Sequence, residues 1–362
     1  MATLDTPRPA AAPLFAGLTF RTWGLLALVL LFVAAAVLPF SLTNFRLSQV
    51  TLVIIYSIAL LGLNILTGFN GQISLGHGAF FAIGGYTTAI LLTKVTGIPY
   101  WATVPIAGVI SAGVGFLVGW PALRLEGLYL ALATFALAVA TPQILKYKAW
   151  DDWTGGVQGI NLDKPGAPFG LPLNRDQWLF YFCFAWAVVA FVIGWNLLRG
   201  RTGRAMVAVR DHPIAAATMG VNTARYKTLT FGVSAMLTGV AGSLAALWTE
   251  FVSPDSFDVF LSIRFLIGIV IGGVGSIPGV VFGAFFIVIV PNWASDLSNW
   301  VQTLALPGFL SRILVLLSSP QVLFGMALII CVALLPGGFG GIIRWLLRVI
   351  ERDAATPTRP PS

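Results

Sequence analysis

Apolar runs of about 20 residues recur along this 362-residue chain, and no other feature limits its fold as much. A helix of about 20 residues spans the roughly 30 Å of a hydrocarbon core. Hydrophobic residues make up 57% of the sequence and charged residues only 9%. A soluble domain carries about a quarter charged residues, so this chain cannot cover a water-facing surface in the usual way. The strict apolar–polar alternation of an outer-membrane barrel is absent. The expected fold class is an all-α polytopic membrane protein with about ten transmembrane helices and two Gly-rich helix breaks.

The spans read at about 23–40, 48–66, 73–93, 100–120, 128–145, 178–198, 228–251, 260–271, 280–290 and 322–335. Residues 1–22, rich in Pro and Ala, read as a disordered cytoplasmic lead, and 23–341 as the transmembrane domain. The stretch 291–319 is partly amphipathic and is expected in an interface. Residues 342–362 place Arg344, Arg348 and Arg352 at helical spacing, an amphipathic basic tail on the cytoplasmic surface.

The longest polar interruption with one sign of charge is the loop 199–227. Arg199, Arg201, Arg204, Arg210, Arg225 and Lys227 stand there against a single acid, Asp211. Basic residues collect in cytoplasmic loops. With this loop inside, ten spans put both termini and Arg124 inside. The loop 146–177, with Asp151, Asp152, Asp163 and Asp176, then falls on the periplasmic side. Membrane orientation thus accounts for the net charge of +8, and no nucleic-acid partner is expected.

Two Gly-rich stretches interrupt the apolar pattern, at 68–76 and 272–279. GQISLGHGAFF at 71–81 echoes GSIPGVVFGAFF at 275–286. Paired interruptions in transporters point to a substrate path, whereas glycines alone also serve close helix packing. The polar candidates for such a path are Asn64, Asn70, Gln72, Ser74, His77, Gly275 and Ser276. His77 invites a proton-relay reading, yet the hydroxyls and amides around it favour a hydrogen-bonding role. Glu250 and Arg264 flank an outer turn and are expected to snorkel or pair with each other. Cys183 and Cys331 sit in apolar runs, so neither a disulfide nor a metal site is expected. No catalytic constellation such as H-E-x-x-H is present.

Inside the basic loop, 214–220 reads IAAATMG. It has the layout of the EAA loop of ABC importer permeases: one residue, two alanines, three residues, then Gly. With GFNGQISLGHGAFFAIGGY, LEGLYLALATFALA, WTGGVQGI, VSPDSF and IGGVGSIPGVVFGAFF, the chain from 48 to 341 resembles the LivM-type permeases of branched-chain amino acid ABC importers. The resemblance implies a permease that moves branched-chain amino acids across the bacterial inner membrane. It also implies a homologous second permease (LivH-like), two ATP-binding subunits (LivG- and LivF-like) and a periplasmic binding protein. ATP and Mg would be used by those subunits, with no cofactor on this chain. This agrees with the lack of a G-x-x-x-x-G-K-[ST] loop.

In the family the EAA segment is a cytoplasmic helix seated in the ATPase. The residues expected to carry that contact are Arg204, Arg210, Asp211, Ile214, Ala215, Ala216, Gly220 and Asn222. Asp211 is expected to cap the helix ahead of Pro213, Gly220 and Asn222 to close it, and the alanines to permit close approach. Ile214 replaces the family's Glu, and Arg264 stands where an acidic or polar residue is expected. Related permeases carry urea, short amides or aromatic acids. An ion-coupled secondary transporter is the other class, but the inner spans hold almost no ionisable groups besides His77.

Overall fold

The computed structural model describes residues 32–95, 97–125, 127–303, 319–334 and 337–341. The expected lead at 1–22 and basic tail at 342–362 lie outside them, as does 304–318 of the expected interfacial stretch 291–319. Residues 32–42 belong to a unit of their own, where an apolar helix runs over Phe32–Ser41.

The main unit is helical. Its elements are α1 (Asn44–Asn64), α2 (His77–Lys94), α3 (Tyr100–Ala122), α4 (Leu128–Leu145), α5 (Arg175–Arg199), α6 (Arg201–Asp211), α7 (Pro213–Thr218), α8 (Thr223–Thr249), α9 (Val259–Gly272), α10 (Ile277–Thr303) and α11 (Pro320–Leu334). Six of them, α1, α3, α4, α5, α8 and α10, are long and apolar enough to cross a membrane. The chain is an all-α polytopic membrane protein. The eighth expected span is a helix of 14 residues, α9, which at 1.5 Å per residue reaches about 21 Å, short of a full crossing. The tenth coincides with α11, whose described residues run from Pro320 to Leu334. The expected end of the ninth span near 290 is also corrected, because α10 continues through Pro291 to Thr303.

Burial divides the long helices. In α8, 83% of the apolar window is buried, and in α1 67%, against 33% in α4 and in α5. α8 is the central post, packed by α1, α2 and α3. Its approach to α2 is so close that a Cβ on Gly242 would stand 1.9 Å from the Phe81 carbonyl oxygen. Small residues let membrane helices gain dispersion contacts and backbone proximity where lipid supplies no hydrophobic drive. The outer helices instead expose large apolar side chains such as Leu117 and Leu132, the surface that a lipid environment requires.

α8 is 27 residues long, about 40 Å from end to end. At its Thr249 end the loop 146–177 folds over the helix tips. Ile160–Asn161 pairs antiparallel with Phe251–Val252, and Lys146 pairs with Asp255. Lys164 Nζ lies 2.8 Å from Asp176 and 3.0 Å from Glu250. Glu250 therefore pairs with Lys164 rather than with the expected Arg264. Arg264 is exposed on α9, with no ion pair among the described residues. The opposite end of α8 carries the basic segment α6–α7.

Candidate functional site

The first Gly-rich stretch begins where α1 widens into a π-helical turn, Ile65–Phe69. Gly71 takes φ +74°, and residues 71–76 run without regular structure until α2 starts at His77. The expected helix start near Ile73 is therefore four residues too early. The reason lies in the backbone donors. Leu75 N–H donates to Thr134 Oγ1 at 2.9 Å, Gly78 N–H to Ser262 Oγ at 2.8 Å, and Gly76 N–H to Ser74 Oγ at 3.3 Å. Buried N–H groups outside a helix ladder need such partners, and here hydroxyls of α4, α9 and the segment itself supply them.

His77 is fully buried and joins this layer. Its Nε2 is 2.6 Å from Ser234 Oγ, and its Nδ1 is 3.1 Å from Ser74 Oγ. Ser234 donates its proton to the Gly62 carbonyl at 2.7 Å. Its oxygen is then left to accept from Nε2–H, so Nδ1 accepts from Ser74. That pattern is complete for a neutral imidazole. Ser234, Thr134 and Ser262 did not stand out in the sequence. Their only sign was a hydroxyl inside an apolar span.

The second Gly-rich stretch meets the first in space. α9 ends at Gly272, Gly273 and Gly275 take φ of +101° and +77°, and α10 starts at Ile277. The Asn64 carboxamide serves it as a spare peptide group. Asn64 Oδ1 accepts from Gly275 N–H at 2.8 Å, and Asn64 Nδ2 donates to the Ser276 carbonyl at 3.1 Å. A Cβ on Gly68 would stand 2.4 Å from Asn64 Oδ1 and 2.5 Å from the Gly275 nitrogen. Asn64, Gly275 and Ser276 thus form one contact and Ser74 and His77 another. Asn70 and Gln72 belong to neither and line a cleft at the basic end.

The basic segment reaches this core through one side chain. α6 buries Gly203, Met206 and Val209 at three-residue spacing and turns Arg201 and Arg204 outward. Arg204 Nη1 donates to the Arg199 carbonyl. Arg210 Nη1 donates to the Gly68 carbonyl at 2.7 Å, and its Nε pairs with Asp211 at 2.9 Å. Asp211 therefore does not cap α7. It ends α6, and His212 takes the N-cap position with Pro213 first in the helix. Gly220, at φ +83°, closes α7 as expected, while Asn222 caps the next helix, accepting from Arg225 N–H at 2.9 Å. Ala216 is buried within the chain and Ala215 is exposed. Ile214 on α7 and Met219 at its C-cap face outward, 82% and 86% exposed.

The family described as "Branched-chain amino acid transport system / permease component" matches residues 45–332. The high-affinity branched-chain amino acid transport system permease protein LivM of Escherichia coli K12 is 35% identical over 325 residues, covering 83% of this chain and 75% of that protein. LivM of Salmonella typhimurium is 34% identical over the same shares. The autoinducer 2 import system permease protein LsrC of Escherichia coli is 28% identical, covering 80% of this chain and 86% of that protein. No solved structure matches. By the extent of these matches, the chain belongs to the permease-component family of branched-chain amino acid transport systems.

Proposed function

We propose that this chain is the LivM-type permease subunit of an ATP-driven importer that carries branched-chain amino acids across the bacterial inner membrane. It works beside a LivH-like permease, LivG- and LivF-like ATP-binding subunits and a periplasmic binding protein. ATP and Mg are consumed in the ATP-binding subunits, and the permease itself is no enzyme. About ten membrane-embedded helices, of which α9 is too short to cross alone, with two Gly-rich breaks at membrane depth and both termini in the cytoplasm, complete the reading. Irregular backbone at that depth survives only where protein covers it, and the hydroxyl and carboxamide partners of the two stretches supply such cover.

One observation carries the mechanism. α7 and its C-cap present Ile214 and Met219 outward, while Arg210, just before the helix, holds the Gly68 carbonyl beside Gly275. A push on α7 by an ATPase therefore reaches the place where both Gly-rich stretches touch. The test is uptake into proteoliposomes holding the whole importer, with its binding protein outside and ATP inside, comparing leucine, urea and benzoate. ATP-dependent leucine uptake is expected. Uptake that survives without ATP and collapses with an ion gradient would overturn the reading. Replacing Ile214 and Met219 by Asp is expected to abolish co-purification with the ATP-binding subunits while leaving the fold intact, since both side chains face outward.

A further inference from the structure

A small pocket lies at the Thr249 end of α8. Its volume is about 80 Å³, and Tyr56, Phe81, Trp248, Phe251, Phe257 and Leu261 line it. Phe251 is exposed at its mouth, whereas Phe81, Phe257 and Leu261 are buried. Phe81 stands one turn after His77, and Leu261 directly precedes Ser262, which holds the Gly78 N–H. The pocket floor therefore adjoins the layer that fixes the first Gly-rich stretch. An apolar cavity of roughly 150 Å³ admits a benzene ring, so this one takes a hydrocarbon group of about three or four carbons.

Two polar groups stand beside it without partners. Tyr56 is half-buried, and its hydroxyl makes no hydrogen bond among the described residues. Arg264, one turn along α9 from Leu261, is exposed and makes neither an ion pair nor a hydrogen bond among them. Its charge acts on the Tyr56 phenol, and Tyr56 packs edge-on against Phe265, the next residue of α9, at 5.3 Å between ring centroids. Arg264 lies about 8 Å along α9 from its first residue, Val259. A free charge that far into a membrane-embedded helix is costly and marks a functional site. A guanidinium beside a hydroxyl is a donor set for a carboxylate. The aromatic and aliphatic walls suit a hydrocarbon chain. A carboxylate joined to a side chain of three or four carbons describes a branched-chain amino acid.

We propose that Arg264 and the Tyr56 hydroxyl hold the substrate carboxylate while this pocket takes its aliphatic side chain, an entry subsite set directly outside the first Gly-rich stretch. The proposal rests on the function argued above, which makes the Thr249 end the periplasmic side of entry. Arg264 stands where an acidic or polar residue is expected in permeases of this type. Its guanidinium separates an amino acid from urea and short amides, which lack the carboxylate, and the pocket separates one hydrocarbon side chain from another by size.

The test measures ATP-driven uptake of labelled leucine and of labelled valine by proteoliposomes of the whole importer, each amino acid saturating the binding protein. Tyr56→Phe removes the hydroxyl and keeps the ring, and Arg264→Gln removes the charge. Each is expected to slow both uptakes several-fold, with Arg264→Lys restoring part of the rate. Ala245→Leu fills the pocket from α8 and should lower the leucine-to-valine ratio several-fold. Phe251→Ala widens the mouth and should raise that ratio, and it serves if the larger side chain disturbs folding. Wild-type rates in both Tyr56→Phe and Arg264→Gln, or an unchanged ratio in both pocket variants, would overturn the proposal. Equilibrium dialysis of labelled leucine against the complex in nanodiscs, without its binding protein, reads the site alone. Binding that valine displaces, leucinamide does not, and Arg264→Gln removes supports the proposal. Binding that Arg264→Gln leaves intact would assign the guanidinium to a lipid phosphate and overturn it, as would no binding. Wild-type vesicles that fail to import leucine at all would instead break the assigned function.

Discussion

The two Gly-rich stretches look alike in sequence and are held in different ways. The first runs through six irregular residues, and its freed N–H groups are shared among hydroxyls from α4, α9 and its own Ser74. The second is a sharp reversal between α9 and α10, and a single side chain, Asn64, supplies both of its cross-chain hydrogen bonds. Distributed support tolerates the loss of one partner. Concentrated support does not. The residue that supports the second stretch also lies one turn before Gly68, whose carbonyl Arg210 grips, so the weaker joint is the one wired to the basic segment.

The largest expected effect comes from breaking that joint. Asn64→Leu leaves the Gly275 N–H without its acceptor, takes one of two partners from the Ser276 carbonyl and forces a larger side chain into the contact. An unsatisfied donor costs about 1–3 kcal/mol and overpacking about 1–3 kcal/mol more, so the loss is about 2–6 kcal/mol. Thermal unfolding of the purified protein checks it. A shift no larger than that of a surface substitution would show that the second stretch has other support. Ser234→Ala attacks the first stretch more gently. It removes one hydroxyl from the His77 pair and from the Gly62 carbonyl, and about 1–3 kcal/mol is expected. If Ser234→Ala costs more than Asn64→Leu, the contrast between concentrated and distributed support is wrong.

Gly275→Ala isolates backbone strain. An added Cβ there meets nothing closer than 3.5 Å, so packing is not the obstacle. The φ of +77° is, at about 1–2 kcal/mol for a residue with a side chain. A neutral result in unfolding would mean that the reversal relaxes out of the left-handed region.

Much of this architecture was legible in the sequence. Nine of the ten apolar segments coincide with helices α1–α5 and α8–α11, because hydrophobic length is a local property. The closure of α7 at Gly220 was local too. What stayed hidden were pairings between distant positions. Thr134 serves Leu75 across 59 residues, Ser234 serves His77 across 157, and Ser262 serves Gly78 across 184. A hydroxyl inside an apolar span carries no sign of its partner. Caps also misled. Asp211 is a stronger cap type than His212, but the ion pair with Arg210 holds it at the end of α6. The same limit applied to Glu250: proximity in sequence pointed to Arg264, while the folded loop brought Lys164.

That loop gives the smallest expected effect, and it tests whether the end far from the basic segment is a passive tie. Burial is the largest single influence on Lys164 and pulls its pKa down. The hydrogen bonds and charges of Asp176 and Glu250 together outweigh it, and the net shift is upward. A raised pKa in the folded state means that folding favours the protonated ammonium. The stabilisation is then fully present below the ordinary lysine value of about 10.4 and is lost as pH rises through the higher folded value. Partly exposed ion pairs contribute about 0.2–1 kcal/mol, so the change is small. The difference in Tm between the wild type and Lys164→Met should be steady from neutral pH to about pH 10 and shrink above the lysine range. A difference that stays constant into that range would mean that Lys164 holds the loop through its aliphatic stem rather than its charge. That end would then be tied by packing, by the Ile160–Val252 pairing and by the Lys146–Asp255 ion pair.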